Sequence, residues 1–258
     1  ETGTVARVAA NEAFGVTNVG NMSDIGAAGD AQKAYDAGVT IGTYLKQLGF
    51  NVDYAPVADV LTNPGNTAIG TRSFGSDASM VADMVIKELE GLSSQGVFGA
   101  VKHFPGQGGV SGDSHDGAVT LDKSLEELMQ TELVPFQKAL ENGVSFVMVG
   151  HISVPQVVGD NTPASLSQMM VSNVLREQLG YQGIVITDAM NMGAVTGNYT
   201  ADQAAVMAVN AGVDMILMPQ DYETAYNGLL QAVQDGTISE ERIDESVERI
   251  VKVKLQMQ

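Results

Sequence analysis

Cysteine is absent from the 258 residues, so no disulfide, thiolate nucleophile or cysteine zinc site belongs to this chain. Basic residues are scarce. Thirteen lysines and arginines stand against 31 aspartates and glutamates, a formal net charge of −18, which opposes nucleic acid and anionic membrane surfaces and leaves a neutral or cationic ligand as the easier partner. No stretch of about 18 apolar residues encodes a membrane-spanning helix. The opening Glu1-Thr2-Gly3-Thr4-Val5 has neither the basic nor the apolar region of a signal peptide. A phosphate-binding P-loop and a Gly-x-Ser-x-Gly elbow are missing as well, which removes the usual sequence grounds for nucleotide hydrolysis and serine hydrolase chemistry.

Against these absences stands a regular punctuation. Five times an amphipathic stretch ends in glycine and gives way within a few residues to a short apolar run: Gly49 before Asn51 to Val57, Gly96 before Val97 to Val101, Gly143 before Val144 to Val149, Gly180 before Ile184 to Thr187, and Gly212 before Val213 to Met218. A helix, a C-cap glycine and a buried strand make up each unit. Val81, Met84, Val85, Leu89 and Leu92 predict one helical core face, and Ile243, Val247, Ile250 and Val251 another. Ser239 is placed to cap the second helix, with Ile238 and Ile243 as a staple, and Pro135 predicts a break in the pattern from Leu125 to Leu140. Alternating helices and parallel strands mean an open doubly wound sheet or a closed (β/α)8 barrel, and five strands are too few to close the barrel. At this length one large α/β domain is expected.

In a βα fold of the barrel kind, chemistry collects where strands end. Asp59 and Arg72 follow the first run, Lys102 and His103 the second, His151 the third, and Asp188 comes directly after Ile184-Val185-Ile186-Thr187. Singly, each has an ordinary role open to it: a turn or helix cap for Asp59 and Asp188, a surface position for Arg72, a satisfied core histidine for His151. Met190 and Met192 read as core or pocket wall. Four of five runs delivering a charged residue or histidine to one rim nevertheless point to a site.

The densest stretch is Lys102-His103-Phe104-Pro105-Gly106-Gln107-Gly108-Gly109 followed by Gly112-Asp113-Ser114-His115, which holds two of the three histidines. His103, His115, Asp113 and Asp116 match no common metal spacing. Asp113 and His115, two apart in a loop, suit an imidazole acid or base oriented by a carboxylate, and Asp188 suits attack on a carbon electrophile.

These residues resemble the glycoside hydrolase family 3 enzymes, and within them the bacterial β-N-acetylhexosaminidases that act on cell-wall or chitin-derived sugars. Lys102 to Gly106 looks like the family signature, Asp113-Ser114-His115 like the insert of the hexosaminidase branch, and Thr187-Asp188-Ala189-Met190 like the nucleophile segment. The resemblance covers essentially the whole chain, and it implies a single TIM-type (β/α)8 catalytic domain over residues 1–258, incomplete here, with about three earlier strands upstream. It implies Asp188 as nucleophile of a retaining reaction, His115 as acid/base with Asp113 as its partner, and Arg7, Arg72, Lys102 and His103 as sugar-binding residues, with His151 a further candidate contact. A histidine in the acid/base role departs from the usual second carboxylate. No metal or organic cofactor and no nucleic-acid partner is implied; the implied partner is a small amino-sugar glycoside, besides a completing N-terminal segment or second chain.

Two departures stand out. Gln107 occupies a position where many relatives have histidine, and the family's aspartate two positions before the residue matching Glu1 is not in the sequence. A barrel short of three strands exposes unpaired edges and apolar helix faces and is expected to be unstable or self-associating. The alternatives left open are a β-glucosidase or β-xylosidase, a phosphorylase of the same family, and a carbohydrate-binding surface protein without turnover. An exported or envelope protein of a bacterium fits the acidic, cysteine-free composition, as does a cytoplasmic one.

Overall fold

The computed structural model describes residues 1–3 and 5–257. In chain order its elements are α1 (Met22–Ala27), α2 (Ala31–Gln47), β1 (Val52–Asp53), α3 (Ala78–Ser94), β2 (Phe98–Phe104), β3 (Val119–Thr120), α4 (Leu125–Gln130), α5 (Val134–Glu141), β4 (Phe146–Val149), β5 (Ile152–Ser153), α6 (Pro155–Val158), a π-helix over Met169–Gln178, β6 (Ile184–Thr187), α7 (Gly193–Thr196), α8 (Ala201–Ala211), α9 (Tyr222–Gln234) and α10 (Glu240–Gln256), besides short 3-10 turns. All five punctuating glycines have positive φ, between +72° and +110°, the conformation in which a helix ends without a Cβ penalty.

Two compact units make up the chain: Glu1–Gly109 with Glu126–Val147, and Val110–Leu125 with Met148–Gln258. In the first, β1 pairs in parallel with β2, Val52 opposite Phe98 and Asp53 opposite Gly99. Helix α3 begins where Asp77 accepts the Met80 N–H at 2.8 Å, and it buries Val81, Met84, Val85 and Leu92 as the apolar spacing predicts. Helices α2 and α3 meet backbone to backbone. A Cβ at Gly38 would collide with the Glu88 carbonyl and one at Gly91 with the Tyr35 carbonyl, so only glycine permits this approach. Pro135 separates α4 from α5 and sits in the first turn of α5, where a missing N–H costs nothing. Phe136 of α5 meets Phe104 of β2 edge-on, 5.5 Å between centroids.

In the second unit β3 pairs in parallel with β5, Val119 opposite Ile152, and the Asp188 N–H beyond β6 reaches the Val149 carbonyl of β4 at 2.8 Å. The fifth apolar run, expected as a strand, makes only an isolated parallel bridge, Met215 to Ile186. Its backbone leaves the ladder because Leu217 spends its N–H on the Thr187 hydroxyl and its carbonyl on the Met190 N–H, at 3.0 and 2.9 Å. Four of the five predicted runs are thus strands, fewer than the eight of a closed barrel, among the described residues.

Helix α10 corrects a second expectation. Ser239 caps it through the Arg242 N–H and Ile238 is buried against Ile243, as read from sequence. Yet Val247 and Val251 are about half exposed, and the buried side chains are Ser246 and Val253. The cause is Asp214, whose side chain is fully buried and accepts from Ser246 Oγ at 2.7 Å, Arg249 Nη1 at 3.0 Å, Arg176 Nη2 at 2.6 Å and the Val185 N–H at 2.9 Å. Charge-assisted bonds to this carboxylate set the helix's rotation in place of its apolar stripe. The left-over apolar residues Val247, Val251 and Leu255 form an exposed row, as do Tyr222, Tyr226 and Leu230 on α9.

Candidate active site

In the first unit, β2 carries Lys102 and His103 at its C-terminal end and delivers them to the glycine-rich loop. His103 is buried, and its Nδ1 lies 2.7 Å from Asp59 Oδ2, with both side chains almost out of solvent. Asp59 accepts further bonds from the backbone N–H groups of His103 and Gln107. The aspartate therefore fixes the imidazole and the start of the loop together, which neither a turn cap nor a rim position predicts from its local sequence. The loop lies flat on the chain after Asp59: a Cβ at Gly108 would strike the Val60 carbonyl, and the Gly108 carbonyl takes the Asn63 N–H at 3.1 Å. Gln107 is buried, and its backbone carbonyl accepts from Asn66 Nδ2 at 2.6 Å, so this residue is packed into the loop's base.

Arg72 ends a 3-10 turn, half-buried, with Nη1 donating to the Ala68 carbonyl at 3.2 Å. Arg7 is exposed, and its segment is held by the Glu1 carboxylate, which accepts the N–H groups of Arg7, Val8 and Ala9 and the Tyr44 hydroxyl. Burial alone would raise the Glu1 pKa; the three backbone donors outweigh it and hold the carboxyl below its ordinary value. Glu88 of α3 behaves oppositely. It is 1% exposed, neither carboxylate oxygen has a hydrogen-bond partner, and burial, then the charge of Asp53, pushes its pKa up to about 8 against the opposing pull of the Glu1 ammonium and Lys102.

The second unit brings together the other predicted residues. His115 Nδ1 lies 2.7 Å from Asp113 Oδ1, which also accepts the His115 N–H at 2.9 Å. A carboxylate can only accept, so Nδ1 carries the proton and Nε2 is turned away from Asp113. Unlike the pair in the first unit, this one is open to water, with 67% of the His115 side chain and 38% of the Asp113 side chain exposed. The loop is anchored on both sides: the Gly193 and Ala194 N–H groups of α7 bond the His115 and Ser114 carbonyls at 3.1 Å each, and the outgoing limb becomes β3 beside β5.

Asp188 follows β6, half-buried, with Oδ1 accepting the Ala189 N–H at 2.8 Å. His151, 1% exposed, braces the same turn: Nε2 donates to the Ala189 carbonyl at 3.0 Å and Nδ1 lies 2.7 Å from Ser165 Oγ. Because a carbonyl cannot donate, Nε2 bears the hydrogen. His151 is therefore held at both ring nitrogens next to the candidate nucleophile. Met190 and Met192 are buried wall residues.

Residues 1–253 match the glycosyl hydrolase family 3 N terminal domain. The chain belongs to that family. It is 32% identical over its whole length to beta-hexosaminidase A of Pseudoalteromonas piscicida, covering 46% of that protein. With beta-hexosaminidase LpqI of Mycobacterium tuberculosis it shares 36% identity over 86% of the chain and 59% of the relative. A family 3 β-N-acetylglucosaminidase structure from Paenibacillus sp. str. FPU-7 superposes with a TM-score of 0.92 at 43% identity, over 94% of this chain and 47% of that one. The chain thus spans about half the length of these relatives, and its α/β fold with parallel strands is that of the family 3 N-terminal domain.

Proposed function

We propose that this chain carries the catalytic centre of a retaining β-N-acetylhexosaminidase, releasing terminal β-linked N-acetylglucosamine by double displacement. The observation that carries the reading is the exposed Asp113–His115 pair with its 2.7 Å bond, in a loop of the hexosaminidase type and in the same unit as Asp188. Relatives named beta-hexosaminidase support it.

In the first step Asp188 attacks the anomeric carbon while protonated His115 gives the Nε2 proton to the departing glycosidic oxygen, leaving a glycosyl ester on Asp188. In the second, neutral His115 takes a proton from water, the water oxygen displaces the ester, and two inversions restore the β configuration. Asp113 stabilises the imidazolium and fixes its tautomer; the exposure of the pair suits a loop that approaches and withdraws from the leaving group. His151 holds the turn of Asp188 through Ala189. Arg7, Arg72, Lys102 and His103 are assigned to sugar binding, as the resemblance to the family implies.

The test is release of nitrophenol from aryl N-acetyl-β-glucosaminide and aryl β-glucoside by the full chain, with Asp188→Asn as control. Preferential cleavage of the acetamido sugar, abolished by the substitution, supports the assignment. Turnover surviving Asp188→Asn, or folded protein without turnover, overturns it.

A further inference from the structure

Beside Asp188 the backbone carries an anomaly that the catalytic assignment does not use. Met218 has φ +46°, and no other non-glycine residue among those described has a positive φ. An L side chain in this left-handed region is strained, and a long apolar one gains nothing there from local hydrogen bonding as asparagine or aspartate would. Core packing does not compensate the strain, because 57% of Met218 is exposed. The position carries two costs at once, strained backbone and a wetted thioether chain.

Its place in the fold is well fixed. Thr187 donates its N–H to the Met215 carbonyl at 3.1 Å and accepts the Leu217 N–H at its hydroxyl, while the Leu217 carbonyl takes the N–H of Met190. Leu217 is therefore stitched to residues on both sides of Asp188, and Met218 is the next residue along. The other side chains assigned to this rim of the unit, Asp113, His115, His151 and Asp188, are all polar or ionisable, and Met190 and Met192 are buried. Met218 is an exposed apolar group one residue from the backbone stitched to both sides of Asp188. In an N-acetylhexosamine, the acetyl methyl is the apolar group that a plain hexose lacks. Strain persists where function over-determines it, and a flexible thioether adapts to a small apolar partner.

We infer that Met218 determines sugar specificity by contacting the acetamido methyl group of the substrate; this rests on the hexosaminidase reading above. The left-handed backbone presents the side chain at the rim, and glycine, although relaxed there, would offer no contact.

The experiment compares Met218→Ala and Met218→Gly with the unaltered full chain, reading kcat/KM on aryl N-acetyl-β-glucosaminide and aryl β-glucoside together with Tm. Loss of one methyl contact lowers the acetamido-to-glucoside ratio about fourfold in both variants, with the glucoside value unchanged. Relief of backbone strain makes Met218→Gly melt about 2–4 °C above Met218→Ala. A parallel fall on both sugars, or an unchanged ratio, overturns the inference while leaving the hexosaminidase reading intact. Failure of the unaltered chain to prefer the acetamido sugar removes that reading and this inference together, and it is visible before any variant is made.

Discussion

His151 Nε2 donates to the Ala189 carbonyl at 3.0 Å, and by that bond a buried histidine fixes the residue following the candidate nucleophile. Ser165 completes the brace at Nδ1. Ser165→Ala removes the hydroxyl that meets Nδ1, so a loss of about 1–3 kcal/mol in urea unfolding is expected, with kcat falling roughly tenfold through misplacement of Asp188 and KM little changed. An unchanged kcat at reduced stability would show that the brace serves only the fold.

Asp113→Asn and His115→Ala are expected to leave Tm within about 1 °C of the parent, since both side chains face water. Their kcat on a poor leaving group falls by about 10² to 10⁴, and much less on a dinitrophenyl glycoside, whose departure needs no proton. Azide accelerates the second step in both variants if His115 is the base. Equal losses on good and poor leaving groups would remove His115 from the acid role.

Asp59 is the reverse case. Asp59→Ala strips His103 of its carboxylate and leaves the N–H groups of His103 and Gln107 unanswered in the interior. A destabilisation of about 3–5 kcal/mol is expected, read as a lowered midpoint in chemical denaturation with a comparable slope.

How much of this was legible in the sequence depends on how far apart the partners are. Asp113 and His115 stand two residues apart, and their pairing could be proposed from spacing alone; Asp59 and His103 are 44 apart, and nothing in either local pattern signals the other. Ile184–Thr187 could be delimited because Gly180 and Asp188 punctuate both its ends. The run Val213 to Met218 had the same apolar content but not the same backbone partners, since Thr187 and Met190 draw Leu217 away. Periodicity also misjudged α10, because an apolar stripe records what water disfavours and is silent about a buried aspartate collecting arginines.

Glu88 supplies a pH prediction with a definite sign. Unfolded, it ionises near its ordinary 4.5; folded, it keeps its proton up to about pH 8. Between those values the folded state binds the extra proton, so this contribution is complete below about pH 4.5 and is lost as pH rises through about 8. Glu88→Met, similar in volume and without an orphaned polar atom, flattens that fall and leaves the variant more stable than the parent at pH 8. Calorimetric Tm values at pH 5 and pH 8 check it; parallel slopes for the two proteins would refute it.

The two histidine–carboxylate pairs have the same 2.7 Å separation and opposite surroundings, 6% and 0% exposed for His103–Asp59, 67% and 38% for His115–Asp113. A change at the first disturbs everything packed on it, whereas a change at the second is felt by little besides the loop. The fold can therefore absorb changes at the exposed side chains of Asp113 and His115 that it cannot survive at Asp59, while buried Ser114 and Gly112, with its positive φ, stay as fixed as the interior.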